Sequence, residues 1–118
     1  MRTRSEEIAS YITKDGSSIK ELMHPDSHPN KNQSLAEATV PAGVETALHM
    51  HSLSEEIYYI TSGKGLMTLN KDRFPVCQGD TILIPPDTPH QILNTESDDL
   101  VFLCVCSPAY SHQDTILL

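Results

Sequence analysis

Short apolar segments alternate with polar, turn-forming ones along most of the chain, and within the segments apolar residues tend to recur at every second position. That period puts successive side chains on opposite faces of an extended backbone, so it predicts strands rather than helices. Strands are expected at residues 34–40, 47–51, 56–60, 65–69, 74–77, 81–84, 90–94 and 100–106. Residues that favour tight turns separate them: Pro41-Ala42-Gly43, Ser62-Gly63-Lys64-Gly65, Asn70-Lys71-Asp72, Gln78-Gly79-Asp80, Pro85-Pro86-Asp87 and the polar stretch 95–99. Regular short strands with frequent turns predict an all-β sandwich or barrel.

The ends are less periodic. Residues 5–13 allow a short helix, and 19–23 an edge strand. His24-Pro25-Asp26-Ser27-His28-Pro29 reads as an extended loop, because each proline biases its predecessor away from helix. The terminal Ile116-Leu117-Leu118 needs a groove, on this chain or on a partner. The expected organisation is an N-terminal segment, 1–32, packed on the edge of a barrel formed by 33–118.

A length of 118 residues allows one domain with one hydrophobic core. No apolar run reaches the eighteen residues of a membrane helix, and the polar start lacks the apolar stretch of a secretory signal. A cytoplasmic location is the expectation. The formal charge of −8, with no Lys/Arg cluster, argues against nucleic acid and against an anionic membrane surface. Cys104 and Cys106 share one strand face two residues apart, where a disulfide would be strained, and Cys77 stands alone; reduced thiols are expected.

Chemistry concentrates in four residues. His49 and His51 lie on one strand face with Cα atoms about 7 Å apart, close enough for their side chains to share an ion. Glu56 follows a turn at the head of the next strand, and a hairpin returns it toward the same face. His90 opens a later strand behind the prolines at 85, 86 and 89. Three imidazoles and a carboxylate suit one divalent transition metal: Fe, Mn, Ni, Cu, Co or Zn.

The spacing from Gly43 through His49, His51 and Glu56 to Gly63 resembles the first motif of the cupin superfamily. Gly79, Pro85, His90 and Asn94 resemble the second, with Asp87 standing where the family pattern has glycine. The resemblance spans roughly residues 33–108, and the fifteen residues between Gly63 and Gly79 match small single-domain members. It implies a double-stranded β-helix, or jelly-roll, barrel. It also implies His49, His51, Glu56 and His90 as metal ligands, with Glu55 as the alternative carboxylate. Glu56 is preferred because it keeps Tyr58 and Ile60 on its own face.

Tyr58 is then a candidate catalytic acid or substrate hydrogen-bond donor, with simple packing as the plainer role. Glu56 is a candidate base as well as a ligand. Cys104 and Cys106 are expected to face inward as small hydrophobes, with a metal or redox role as the alternative, and Asn94 to close a turn. His24, His28 and His112 lack partners at ligand spacing and are expected at the surface. Ile60, Met67 and Ile84 are expected to line the pocket. The leading functional expectation is a metal-dependent oxygenase acting on a small oxygen-bearing molecule. The alternatives are a metal Lewis-acid isomerase, lyase or cyclase, and a non-catalytic metal- or metabolite-binding sensor. The expected partners are a small-molecule ligand or substrate and, as in similar cupins that pair through edge strands, a second copy in a homodimer.

Overall fold

Buried and outward positions alternate residue by residue in the central strands, as the period of two requires. The computed structural model describes residues 1–118 and contains eleven strands. They are β1 (Tyr11–Ile12), β2 (Ser18–Met23), β3 (Ser34–Val40), β4 (His49–His51), β5 (Glu55–Ser62), β6 (Lys64–Leu69), β7 (Asp72–Cys77), β8 (Thr81–Ile84), β9 (His90–Asn94), β10 (Leu100–Ser107) and β11 (Thr115–Leu117). The only helical piece is a single 3-10 turn at Ser5–Glu7. No helix is long and apolar enough to cross a membrane.

The strands form two antiparallel sheets, one ordered β1-β2-β3-β10-β5-β8 and the other β11-β4-β9-β6-β7. Every pairing is antiparallel, and strands distant in sequence lie side by side, which is the jelly-roll arrangement. The core fills the space between the sheets with Val40, Ile60, Met67, Ile84, Ile92, Leu100 and Phe102, each at most 2% exposed. Burying an aliphatic or aromatic side chain of this size contributes roughly 1.5–3 kcal/mol.

Two turns need backbone conformations that L-residues seldom adopt. Gly63 has φ of 90°, and a Cβ there would stand 2.7 Å from the Asp99 carbonyl oxygen, so only glycine fits between β5 and β6. Asp87 has φ of 58°, and its N–H donates to the His51 carbonyl at 2.7 Å. The position where the motif has glycine is therefore left-handed, and Asp meets the demand.

The ends depart from the simplest sequence expectations. The helix allowed over residues 5–13 shrinks to Ser5–Glu7, because Tyr11 and Ile12 pair with Ile19 and Ser18 as a short strand. The strand expected at 47–51 begins only at His49, since Ala47 instead donates to the Asp15 carbonyl at 2.8 Å. The β2 strand pairs with β3 and is covered on its other side only by the two residues of β1. At the C-terminus, Ile116 and Leu117 pair with Met50 and His49 of β4, while their side chains remain exposed.

Candidate metal centre

The backbone brings the four motif residues together from three strands. His49 and His51 stand two apart on β4, both inward. His90 pairs directly with His49 across β4 and β9. Glu56 faces inward from β5, while Glu55 is exposed on the opposite face. One ring nitrogen from each histidine lies within 4.8 Å of the other two, so the three imidazoles are positioned to bind a metal ion. All four side chains are buried.

Hydrogen bonds settle which imidazole nitrogen faces inward. His49 Nδ1 donates to the Ala47 carbonyl at 2.8 Å and His90 Nδ1 to the Thr88 carbonyl at 2.9 Å. A carbonyl only accepts, so both rings carry their proton on Nδ1 and a lone pair on Nε2. His51 Nδ1 lies 3.2 Å from Thr115 Oγ1, which donates its own proton to the Ser111 carbonyl at 2.8 Å. With that proton committed, the Thr115 hydroxyl accepts from His51, and the third Nε2 is also left bare.

These lone pairs meet a carboxylate. Glu56 Oε1 is 3.3 Å from His51 Nε2 and 3.4 Å from His90 Nε2. Neither contact has hydrogen-bond alignment, and both Glu56 Oε1 and His90 Nε2 are buried with no hydrogen-bond partner. Acceptors converging in a dry interior repel one another unless a cation stands between them. Such a donor set fits a divalent transition metal. Without one, protons must serve. Burial raises the Glu56 carboxyl, but the His51 and His90 imidazoles outweigh it and hold the pKa down to about 2. Burial and the neighbouring His90 lower the His49 pKa against the opposing pull of Asp15.

A second layer surrounds these residues. The Cys106 thiol donates to Glu56 Oε2 at 3.3 Å. Asp15, at the turn before β2, places Oδ2 3.7 Å from His49 Nε2, while its Oδ1 accepts from the Ser17 N–H at 2.9 Å and the Ser17 hydroxyl at 2.6 Å. Burial and the nearby Glu56 push the Cys104 and Cys106 thiols and the Tyr58 phenol upward, so all three keep their protons. Tyr58 stacks its ring on Phe102 at 4.5 Å and meets the edge of His90 at 6.0 Å.

The site opens on a cavity lined by His49, His51, Glu56, Tyr58, Cys104 and Cys106 together with residues from both chain ends. The expected lining of Ile60, Met67 and Ile84 is corrected: those side chains are buried in the core between the sheets and none borders the cavity. Tyr11, Thr13, Asp15, Glu21, Tyr110 and Thr115 do border it. None of these carries a ligand-like spacing; only the Asp15-Gly16 pair marks a turn. His24 also differs from its expected surface position. It is 8% exposed, with Nε2 2.8 Å from the Tyr110 carbonyl and Nδ1 accepting from the Asp26 N–H at 3.0 Å. Asn94 ties the turn after β9, donating to the Val40 and Asp98 carbonyls and accepting from the Glu96 N–H.

The profile of the cupin domain family matches residues 36–106, more than half of the chain and all four motif residues. The chain belongs to the cupin family. This cupin is 54% identical over its whole length to an uncharacterized protein of Methanocaldococcus jannaschii, covering 94% of that protein. It is 37% identical to an oxalate-binding protein of Thermotoga maritima, over 73% of this chain and 67% of that one. Among solved structures, the polyketide cyclase RemF of Streptomyces resistomycificus superposes with a TM-score of 0.84 at 18% identity, over 100% of this chain and 84% of the cyclase. At that identity the likeness is one of fold.

Proposed function

We propose that this cupin holds one divalent transition metal through His49, His51, Glu56 and His90 and uses it to bind and transform a small oxygen-bearing molecule in the adjoining cavity. The observation that carries the reading is the convergence of bare Nε2 lone pairs on an unpartnered, buried Glu56 oxygen. The likeness to an oxalate-binding protein supports a small oxygen ligand. When bound, such an ion supplies Lewis acidity, or with Fe, Mn, Ni or Cu the activation of a chelated substrate toward dioxygen.

The chain's own residues supply the rest. Glu56 would balance the charge of the ion, and its second proposed part is that of a base once a bound molecule shifts it from its low pKa. Tyr58, held protonated by burial, lines the cavity and is the proposed hydrogen-bond donor to a bound molecule. Oxygenase chemistry is the leading assignment, because His49, His51, Glu56 and His90 would hold the ion from one side and leave its other side to a substrate that chelates through two oxygens. A Lewis-acid lyase, isomerase or cyclase is the second, favoured by Asp15 as an additional carboxylate beside His49.

Elemental analysis of untagged protein beside a His90→Ala control tests the centre. About one Fe, Mn, Ni or Cu per chain, absent from the control, supports it and calls for an oxygen-uptake screen with chelating acids and diketones. Zinc directs attention to the Lewis-acid assignment, and absence of metal from both proteins refutes the centre and leaves a non-catalytic binding module.

A second copy as partner is part of the same proposal. Leu83, Ile57, Val105, Leu35 and Met23 pair in register across five strands on the outward face of the larger sheet. An apolar row of that kind suits a homodimer interface. Elution at the monomer mass of 13.1 kDa in size-exclusion chromatography would remove this element.

A further inference from the structure

The cavity wall contains no lysine and no arginine, whereas Asp15, Glu21 and Glu56 all border it. These carboxylates are spread out rather than clustered. Glu21 on β2 is opposite Ala36, which is opposite Cys104, which is opposite Tyr58 on β5 beside the metal centre. Three strand spacings, about 14 Å between backbones, separate Glu21 from that end of the cavity. Glu21 Oε1 accepts the Tyr11 hydroxyl at 2.9 Å, but Oε2 is buried and has no partner. A buried acceptor in this state calls for a donor. At the opposite end the 4%-exposed Glu56 likewise presents an unpartnered oxygen.

We infer that the cavity takes an uncharged, hydroxyl-bearing molecule, one end chelating the metal and a hydroxyl at the other donating to Glu21 Oε2, and that it disfavours dicarboxylates. The inference rests on the proposed metal centre and specifies its ligand class. With a divalent ion in place, three carboxylates still leave one formal negative charge in excess. A dicarboxylate entering the cavity would add two more with no guanidinium or ammonium to receive them. A hydroxyl meets Glu21 and the hydroxyls of Thr13 and Ser34 without that penalty. The chain thus shares a fold with an oxalate-binding relative while presenting a wall of the wrong sign for a free dianion.

The test uses full-length protein loaded with Co²⁺, whose visible spectrum reports ligand binding at the ion. D-ribose serves as the uncharged vicinal diol and oxalate as the dianion, and metal content is measured first on every variant. Glu21→Gln, which keeps the shape and removes the charge, is expected to tighten oxalate about ten-fold and to weaken ribose. Asp15→Asn provides an independent variant with the same expected sign for oxalate. Oxalate affinity unchanged in both, or no spectral response to ribose in the wild type, overturns the ligand class while leaving the metal centre standing. Protein that takes up no Co²⁺ overturns both.

Discussion

The Cys106 thiol donates a hydrogen bond to Glu56 Oε2 across 3.3 Å, from the strand position directly opposite Glu56. The thiol keeps its proton because burial and the facing carboxylate both oppose ionisation. It therefore occupies one oxygen of Glu56 and leaves Oε1 turned toward the histidines. Removing this donor as Cys106→Ala is expected to weaken metal binding about ten-fold, in the range typical of residues that orient metal ligands. Cys106→Ser should recover most of the loss. Chelator competition on the three proteins measures it; equal affinities would reduce the thiol to packing.

Thr115 plays the corresponding part for His51. A Thr115→Val protein keeps the shape but strands a buried Nδ1–H, so the ring loses the contact that keeps Nε2 bare. Metal affinity should fall by roughly ten- to a hundred-fold. Thr115→Ser should stay close to wild type in the same titration. A valine variant with wild-type affinity would show that the ring is oriented by packing alone.

Asp114 stitches the loop after β4 to the C-terminal tail. Its carboxylate accepts from the N–H groups of Ser52, Leu53 and Ser54 at 3.0, 2.9 and 3.0 Å. Asp114→Ala should destabilise the fold by about 1–3 kcal/mol in denaturant unfolding. Burial raises the Asp114 pKa, but those three donors lower it further, so the net shift is downward. A depressed native pKa means stability present above the ordinary carboxylate range and lost as pH falls through the native value. The variant should accordingly lose less stability than wild type on acidification.

His49 gives the metal-free protein a pH dependence at higher pH. Its pKa is lowered from 6.5 in the fold, so the unfolded chain binds the extra proton first. Stability is then complete above about pH 6.5 and declines as pH falls toward the depressed native value. Chelated protein melted between pH 8 and 5 should show that decline, and His49→Gln should flatten it.

Metal removal is expected to lower Tm by linkage, since the ion binds the folded site. At an ion concentration one thousand times Kd the stabilisation is about 4 kcal/mol. Differential scanning calorimetry with and without chelator should show a large shift in wild type and none in His90→Ala. A wild-type Tm indifferent to metal would argue against a preformed centre.

Much of the fold was legible because strands write themselves in a period of two. The expected boundaries at 34–40, 81–84 and 90–94 coincide with β3, β8 and β9. Side-chain alternation along residues 55–62 already separates Glu56 from Glu55, and it puts Tyr58 on the inner face. The wall of the cavity was not legible in this way. Ile60, Met67 and Ile84 have the right character and direction, yet they meet the opposite sheet rather than open space. Asp15 and Glu21 sit in a stretch whose polarity reads equally well as a solvated edge.

The strands, their turns, the all-β class and the residues with metal-ligating chemistry are all written in the amino-acid order, because periodicity, turn preference and side-chain donors are local properties. What faces those residues follows from how distant strands pair. Pairing of β2 with β3 and of β11 with β4 carries Asp15 and Thr115 to the centre, and Glu21 to the far end of its cavity, from sequence separations of dozens of residues. Which partners meet depends on how the whole chain closes its two sheets, and no local pattern encodes that closure.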